Sequence, residues 1–165
     1  MHVHVHVRAM FICGYRVCVV CVCAVGNVRC RAIPNFLIQF GISTDAAVQR
    51  KWNGMGNIKD DPHSETPFTD GIVSFAGYGT DSRSTHLFLT LGNQPGLGRS
   101  AWEVPVGKVV GGLDVLHGIY TGYGDKVDQG RLQPSRPGAA DYLASFPKLD
   151  RFKKCTLQKG GAVEL

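Results

Sequence analysis

Glycine constrains this chain more than any other residue. There are 21 in 165 positions, and from Gly41 onward they recur between short apolar stretches. Each would cost a helix interior roughly 1 kcal/mol against alanine, so a strand-rich, loop-rich fold is expected over a helical bundle. The apolar stretches agree. Phe36 to Ile42 is apolar or aromatic with Gln39 inserted, which reads as a buried strand. Gly71 to Ala76, His86 to Leu91 and Val106 to Val110 read as further strands, and Lys153 to Gln158 as a closing one. Leu87, Leu89 and Leu91 alternate with His86, Phe88 and Thr90, so the two sets face opposite sides.

Two short helices are expected between them. Ser43 or Thr44 can cap one over 45–52, stopped by Gly54, with Asp45 near its start and Arg50 and Lys51 near its end to suit the helix dipole. Leu113, Leu116 and Ile119 or Tyr120 mark the other. Residues 53–70, 77–85 and 92–99 read as loops, and the chain is irregular from Gly124 to the closing strand. Short strands, long glycine loops and two short helices point to a barrel or sandwich rather than an α/β sheet.

The length suits one domain with a real core. A net charge of +5 is carried by scattered Lys and Arg with no dense run or interleaved aromatics, which argues against nucleic acid as a partner. Five of the six cysteines (Cys13, Cys18, Cys21, Cys23 and Cys30) fall in the first thirty residues and only Cys155 lies beyond. A secreted disulfide framework would spread them through the body, so the body is expected to fold without disulfides.

Residues 1–30 differ in composition from the rest of the chain. His2, His4 and His6 alternate with valines, and a Val/Cys alternation continues from Val17 to Val22. Three histidines at period two would share one strand face, where imidazoles can hold a metal. No second ligand set accompanies them, and translated dinucleotide-repeat DNA is the plainer source, so no metal is expected. Arg8 before the apolar stretch Ala9–Val25, with Val22-Cys23-Ala24 as a cleavage-like end, is the pattern of a signal segment. Arg16 interrupts that stretch, so no stable membrane span is expected. A mis-joined segment would leave a cytoplasmic protein, and a signal segment would send it into the secretory pathway.

From Arg31 the chain reads Arg31-Ala32-Ile33-Pro34-Asn35-Phe36-Leu37-Ile38-Gln39. A cation and an amide flank an apolar segment broken by one Pro–Asn turn. Arginine suits such a place because its fork is always charged and holds its donors in a fixed plane. The spacing resembles the active-site segment of the cyclophilins, the peptidyl-prolyl cis-trans isomerases, with Arg29 where an aromatic usually leads. Ser74-Phe75-Ala76-Gly77 followed by Asp81 to Phe88, and Pro105 to Leu116, resemble two later signatures of that family. Ile58 to Pro62 and Phe146 to Asp150 look like a divergent subgroup with an extended helix and a C-terminal insert.

The resemblance runs from Arg31 to about Leu157. It implies a mainly β fold, a cyclophilin-like antiparallel β-barrel with short flanking helices over 31–158, with 159–165 as a tail. Residues 1–30 replace poorly the two strands and helix that precede the Arg strand in a complete domain, so the barrel is expected to be incomplete at the N-terminus. The implied activity is isomerisation of X–Pro bonds in peptides and unfolded polypeptides by a monomer without cofactor. The implied site has Arg31 as donor to the prolyl nitrogen, Phe36, Leu37, Phe88 and Leu97 lining the proline pocket, Gln39 flanking it, Ala76 and Gly77 as a shelf for the peptide, and His86 among the substrate-binding residues.

His86 stands where most members carry Gln, and its charge is expected to change between pH 5 and 8. The pocket tryptophan of many members is missing from its usual place, Trp102 lies five residues after Leu97, and Glu103 falls where a histidine is often found. A module that binds proline-containing peptides without useful turnover is therefore the alternative, and a fragment that does not fold is another.

The remaining motifs are weak. Asp60-Asp61 has the charge for a hard cation but reads more simply as a solvated pair. Gly77-x-Gly79 and Gly122-x-Gly124 lack the strand-to-helix setting of a phosphate loop. Cys155 and His86 have no third group to orient them as a nucleophilic pair. His63 and His117 read as surface and helix-end residues.

Overall fold

The turn at Pro34–Asn35 folds the Arg31 segment back on itself. Pro34 presets φ at the second turn position, Asn35 takes φ 56° at the third, and the N–H of Phe36 donates to the carbonyl of Ile33 at 3.2 Å. The strands it joins are β2, Val28–Ile33, and β3, Leu37–Ile42. The computed structural model describes residues 6–9 and 28–152, with side chains from Arg31 onward. Its other strands are β1 (His6–Ala9), β4 (Ile72–Phe75), β5 (Leu87–Thr90) and β6 (Pro105–Gly111). Three helices stand among the described residues: α1 (Ala46–Asn53), α2 (Leu113–His117) and α3 (Ala139–Ala144).

The six strands form one antiparallel sheet in the order β1-β6-β4-β5-β3-β2. Among the described residues no hydrogen-bonded ladder joins β1 to β2, so the sheet is not closed by backbone pairing. Both end strands draw on residues 1–30: β1 lies wholly within that segment, and β2 begins there. The expected closing strand at Lys153–Gln158, Cys155 and the cleavage-like Val22-Cys23-Ala24 lie outside the described residues, as do the side chains of His2, His4 and His6.

Strand alternation divides the apolar residues between two clusters, because successive side chains point to opposite faces. One face gives Ile38, Phe40, Val73, Phe75, Leu87, Leu89 and Leu91 to the main core, joined by Val109, Leu116 and Ile119. The other places Leu37 and Phe88 with Phe68 and Ile72. Every residue of β3, β4 and β5 is buried, so these strands are covered on both faces. Gly41 lets β3 pass close to the chain entering β5. At φ 126° a Cβ there would collide with the Thr85 carbonyl and the Cα of His86.

Three local expectations are corrected. The N-cap of α1 is Asp45, whose carboxylate accepts from the N–H groups of Ala47 and Val48, rather than Ser43 or Thr44. Ser43 instead accepts from the Asp45 N–H, and its own N–H donates to the buried Gln49. The stretch expected to be irregular holds α3, whose six residues follow Gly138 at φ 75°. Asp60 and Asp61 are not a solvated pair but partners of Arg83, which is 1% exposed. The Arg83 guanidinium donates to Asp61 at 2.6 Å, stands 3.7 Å from Asp60 and lies 5.2 Å from the Phe75 ring centroid.

Candidate functional site

Register assembles the site. Arg31 on β2 pairs with Gln39 on β3, Gln39 pairs with Phe88 on β5, and Phe88 pairs with Ser74 on β4. Residues directly opposite across a ladder share a face, so the cation, the amide and the aromatic ring form one row. The next row holds Ile33, Leu37 and Thr90. Two sequence segments some fifty residues apart thus become neighbours through pairing alone.

Beside the row lies the apolar cluster of Leu37, Phe68, Ile72 and Phe88, flanked by the partly buried Phe36, Ala76 and Leu97. Phe68 and Phe88 stack with centroids 5.9 Å apart and planes 21° from parallel. Phe68 carries no signal in the sequence because it sits between Pro67 and Thr69 in a loop with no period. A Cβ on Gly98, at φ 81°, would strike its ring, which shows how closely the Leu97–Gly98 loop closes over it.

Ala76 and Gly77 continue β4, with the Ala76 N–H donating to the His86 carbonyl at 2.9 Å. A Cβ on Gly77 would meet the Trp102 side chain, so the indole lies directly against this shelf. Ser82 Oγ accepts from the N–H groups of Tyr78 and Gly79 and donates to the Gly79 carbonyl, which folds the loop beyond the shelf. Glu103 turns back to accept from the Gly98 N–H at 3.1 Å.

Arg31 is partly exposed, and its guanidinium forms a bidentate ion pair with Asp125. Nε–H donates to Oδ1, and Nη2–H donates to Oδ2 at 2.8 Å. The hydrogen bond from Arg31, helped by its charge, holds the Asp125 carboxyl below its ordinary value against an opposing effect of burial. Gln39 Nε2 donates to Oε1 of Gln129 at 3.2 Å, and Gln129 is also hydrogen-bonded to His86. Burial pushes the His86 imidazole below its ordinary 6.5, and the bond to Gln129 only partly offsets this. The ring therefore stays neutral further into acid than the sequence suggested.

Asp125 and Gln129 escaped sequence reasoning because 94 and 90 residues separate them from Arg31 and Gln39. Their stretch, 122–130, is glycine-flanked and polar, with no periodicity to mark it. It is held by a second apolar cluster of Ile42, Val127 and Leu132, packed with Tyr123, Tyr142 and Phe146. A separate polar cleft of about 570 Å³ opens on this side between Arg131, Arg136 and Tyr142, with the Arg131 guanidinium 4.0 Å from the Tyr142 ring centroid.

Elsewhere, His117 at the end of α2 lies 2.8 Å from Asp70. Burial pushes the Asp70 carboxyl up, but hydrogen bonds from Gly92, His117 and Gly71 and the charge of His117 together hold it below its ordinary value. Among the described residues no three His, Cys, Asp or Glu side chains cluster as a metal site, and no helix is long and apolar enough to cross a membrane.

The family model of the cyclophilin type peptidyl-prolyl cis-trans isomerase/CLD matches residues 23–137, well over half of the chain. Among solved structures, the chain is similar to a cyclophilin type peptidyl-prolyl cis-trans isomerase of Cryptosporidium parvum. The two are 21% identical with a TM-score of 0.43, over 58% of this chain and 62% of that one. The same enzyme crystallised in the presence of the dipeptide Ala-Pro is 20% identical with a TM-score of 0.44, over 59% and 65%. The chain thus spans less than two thirds of the length of these structures. No curated protein matches the sequence.

Proposed function

Because the chain belongs to the cyclophilin-type peptidyl-prolyl cis-trans isomerase family, we propose that it isomerises X–Pro bonds in peptides and unfolded polypeptides, with Arg31 as the donor. The observation that carries this reading is the cross-strand row of Arg31, Gln39 and Phe88 beside the Leu37–Phe68–Phe88 cluster.

The barrier to rotation about a peptide bond is ~18–20 kcal/mol and comes from amide resonance. An apolar cluster grips the prolyl ring while a donor beside it contacts the prolyl nitrogen. That contact favours the twisted, pyramidal state, in which the nitrogen lone pair is freed. The donor acts on charge that appears only in the transition state, so it raises the rate rather than mere affinity. The bidentate pair with Asp125 uses Nε–H and one Nη2–H, which leaves the Nη1 edge of Arg31 for substrate. Gln39 and the backbone at Ala76 and Gly77 hold the flanking peptide.

Arg31→Ala tests the reading. Isomerisation of a proline test peptide is expected to fall about 10²-fold, the usual cost of a lost transition-state donor, with an unchanged thermal transition. Full activity in this variant would remove Arg31 from the mechanism.

A second reading, a module that binds proline-containing peptides without turnover, is favoured by the engagement of Arg31 with Asp125. Peptide titration set beside a coupled isomerisation assay separates the two. Saturable binding without rate enhancement would select the module.

A further inference from the structure

Residues 123–130 reach the donor from outside the sheet. Asp125 holds Arg31 by two hydrogen bonds, and Gln129 joins Gln39 to His86. A carboxylate engaging both Nε and Nη2 fixes the plane of the guanidinium, which a single bond would leave free to swing. The Asp125 side chain is 62% exposed. Water screens a pair this exposed, so what the two-point geometry chiefly supplies is the direction of the guanidinium.

The segment carrying it is anchored on every side. Gly124 forms a backbone bridge to Ala32, next to Arg31 in the chain. Val127 is buried in the second apolar cluster. Asp128 donates its N–H to the Tyr142 hydroxyl at 2.9 Å and accepts through Oδ1 from the N–H groups of Gly130 and Arg131. The Tyr123 ring meets Tyr120 and Phe146 edge-on, with centroids 5.0 and 5.1 Å away.

We propose that residues 123–130 form a second wall of the site, in which Asp125 is a positioning residue that aims Arg31 before substrate arrives. Gln129 does the same for Gln39 and His86. The inference rests on the isomerase reading for its chemistry, but the geometry of Arg31 is testable apart from it.

The experiment compares the full chain with Asp125→Asn and Asp125→Glu. It records kcat and KM on a proline test peptide, the thermal transition, and the nuclear relaxation of the Arg31 Nε–H. In Asp125→Asn, kcat is expected to fall at least about tenfold, as loss of orientation does, with KM and the thermal transition unchanged. Asp125→Glu should recover part of the loss, because it restores the charge at a shifted distance.

An unchanged kcat would overturn the proposal. A raised kcat would do the same, since Asp125 would then be withholding the guanidinium from substrate. A rise in KM alone would place the carboxylate on the substrate and equally overturn it. If the wild-type chain isomerises no test peptide, the isomerase reading fails by itself and the Arg31 Nε–H decides the positioning. An Nε–H rigid in the wild type and mobile in Asp125→Asn supports it, and one mobile in both refutes it.

Discussion

His86 is the residue where environment most changes what its type promises. Free imidazole titrates near neutrality, but burial lowers the value here. Below neutrality an unfolded chain takes up a proton near the ordinary 6.5, whereas the folded protein resists until lower pH. Folding stability therefore falls as the pH drops through that value and levels off once the folded group also titrates. In His86→Gln this component is absent, so the loss of Tm between about pH 7.5 and about pH 5 should be smaller than in the wild type. Equal losses in the two proteins would show that His86 is not the group responsible. The position was legible in the sequence through the signature around it. The direction of its shift was not, because the packing over His86 and its bond to Gln129 both come from remote parts of the chain.

At the scale of elements, short-range pattern carried the reading and long-range pairing limited it. Strands β3 to β6 were legible because their apolar residues are continuous or alternate over a few positions, with glycines in or close to each strand. Helix α3 was not, since six residues after a glycine hold less than two helical turns and no apolar stripe. The Arg83 clamp was illegible for a different reason. Asp61 and Arg83 lie 22 residues apart on two loops, brought together by the bridge between Ile58 and Arg83 and by reciprocal hydrogen bonds between Asp60 and Asp81, none of which leaves a local pattern. Removing one partner of a buried ion pair typically costs about 3–5 kcal/mol. Asp61 is partly solvated, so Arg83→Leu should cost about 3 kcal/mol. Hydrogen exchange should rise most sharply in residues 58–61 and 77–85. Uniformly raised exchange would mean that Arg83 supports the whole core rather than tying these loops together.

At the scale of the molecule, the sheet has one end at β1 and the other at β2 among the described residues. The backbone of β1 pairs with β6 through Val7 and Val109, Arg8 and Lys108, and Ala9 and Gly107. Its composition gave little reason to expect it in the sheet. A His-Val alternation is nonetheless a period-two pattern, which is all that an edge strand needs. Deleting residues 1–9 should uncover the edge of β6, lower Tm and produce concentration-dependent association in sedimentation, because an unpaired strand edge invites another chain. A deletion variant that matches the full chain in both measurements would show that β1 contributes nothing to the sheet.

The strand row and the proposed second wall differ in what they tolerate. The row of Arg31, Gln39 and Phe88 is tied to strand register, and a one-residue slip would turn each of them to the opposite face. Residues 123–130 reach the same row through side chains and one bridge, so an exchange there leaves every ladder of the sheet intact. Selection, in nature or in a library, therefore has an adjustable half and a frozen half to work with. Randomising positions 125 and 129 would vary how Arg31 and Gln39 are aimed, and so the rate, on an unaltered sheet, whereas the same diversity at 31, 39 and 88 would mostly yield variants that have lost the row itself.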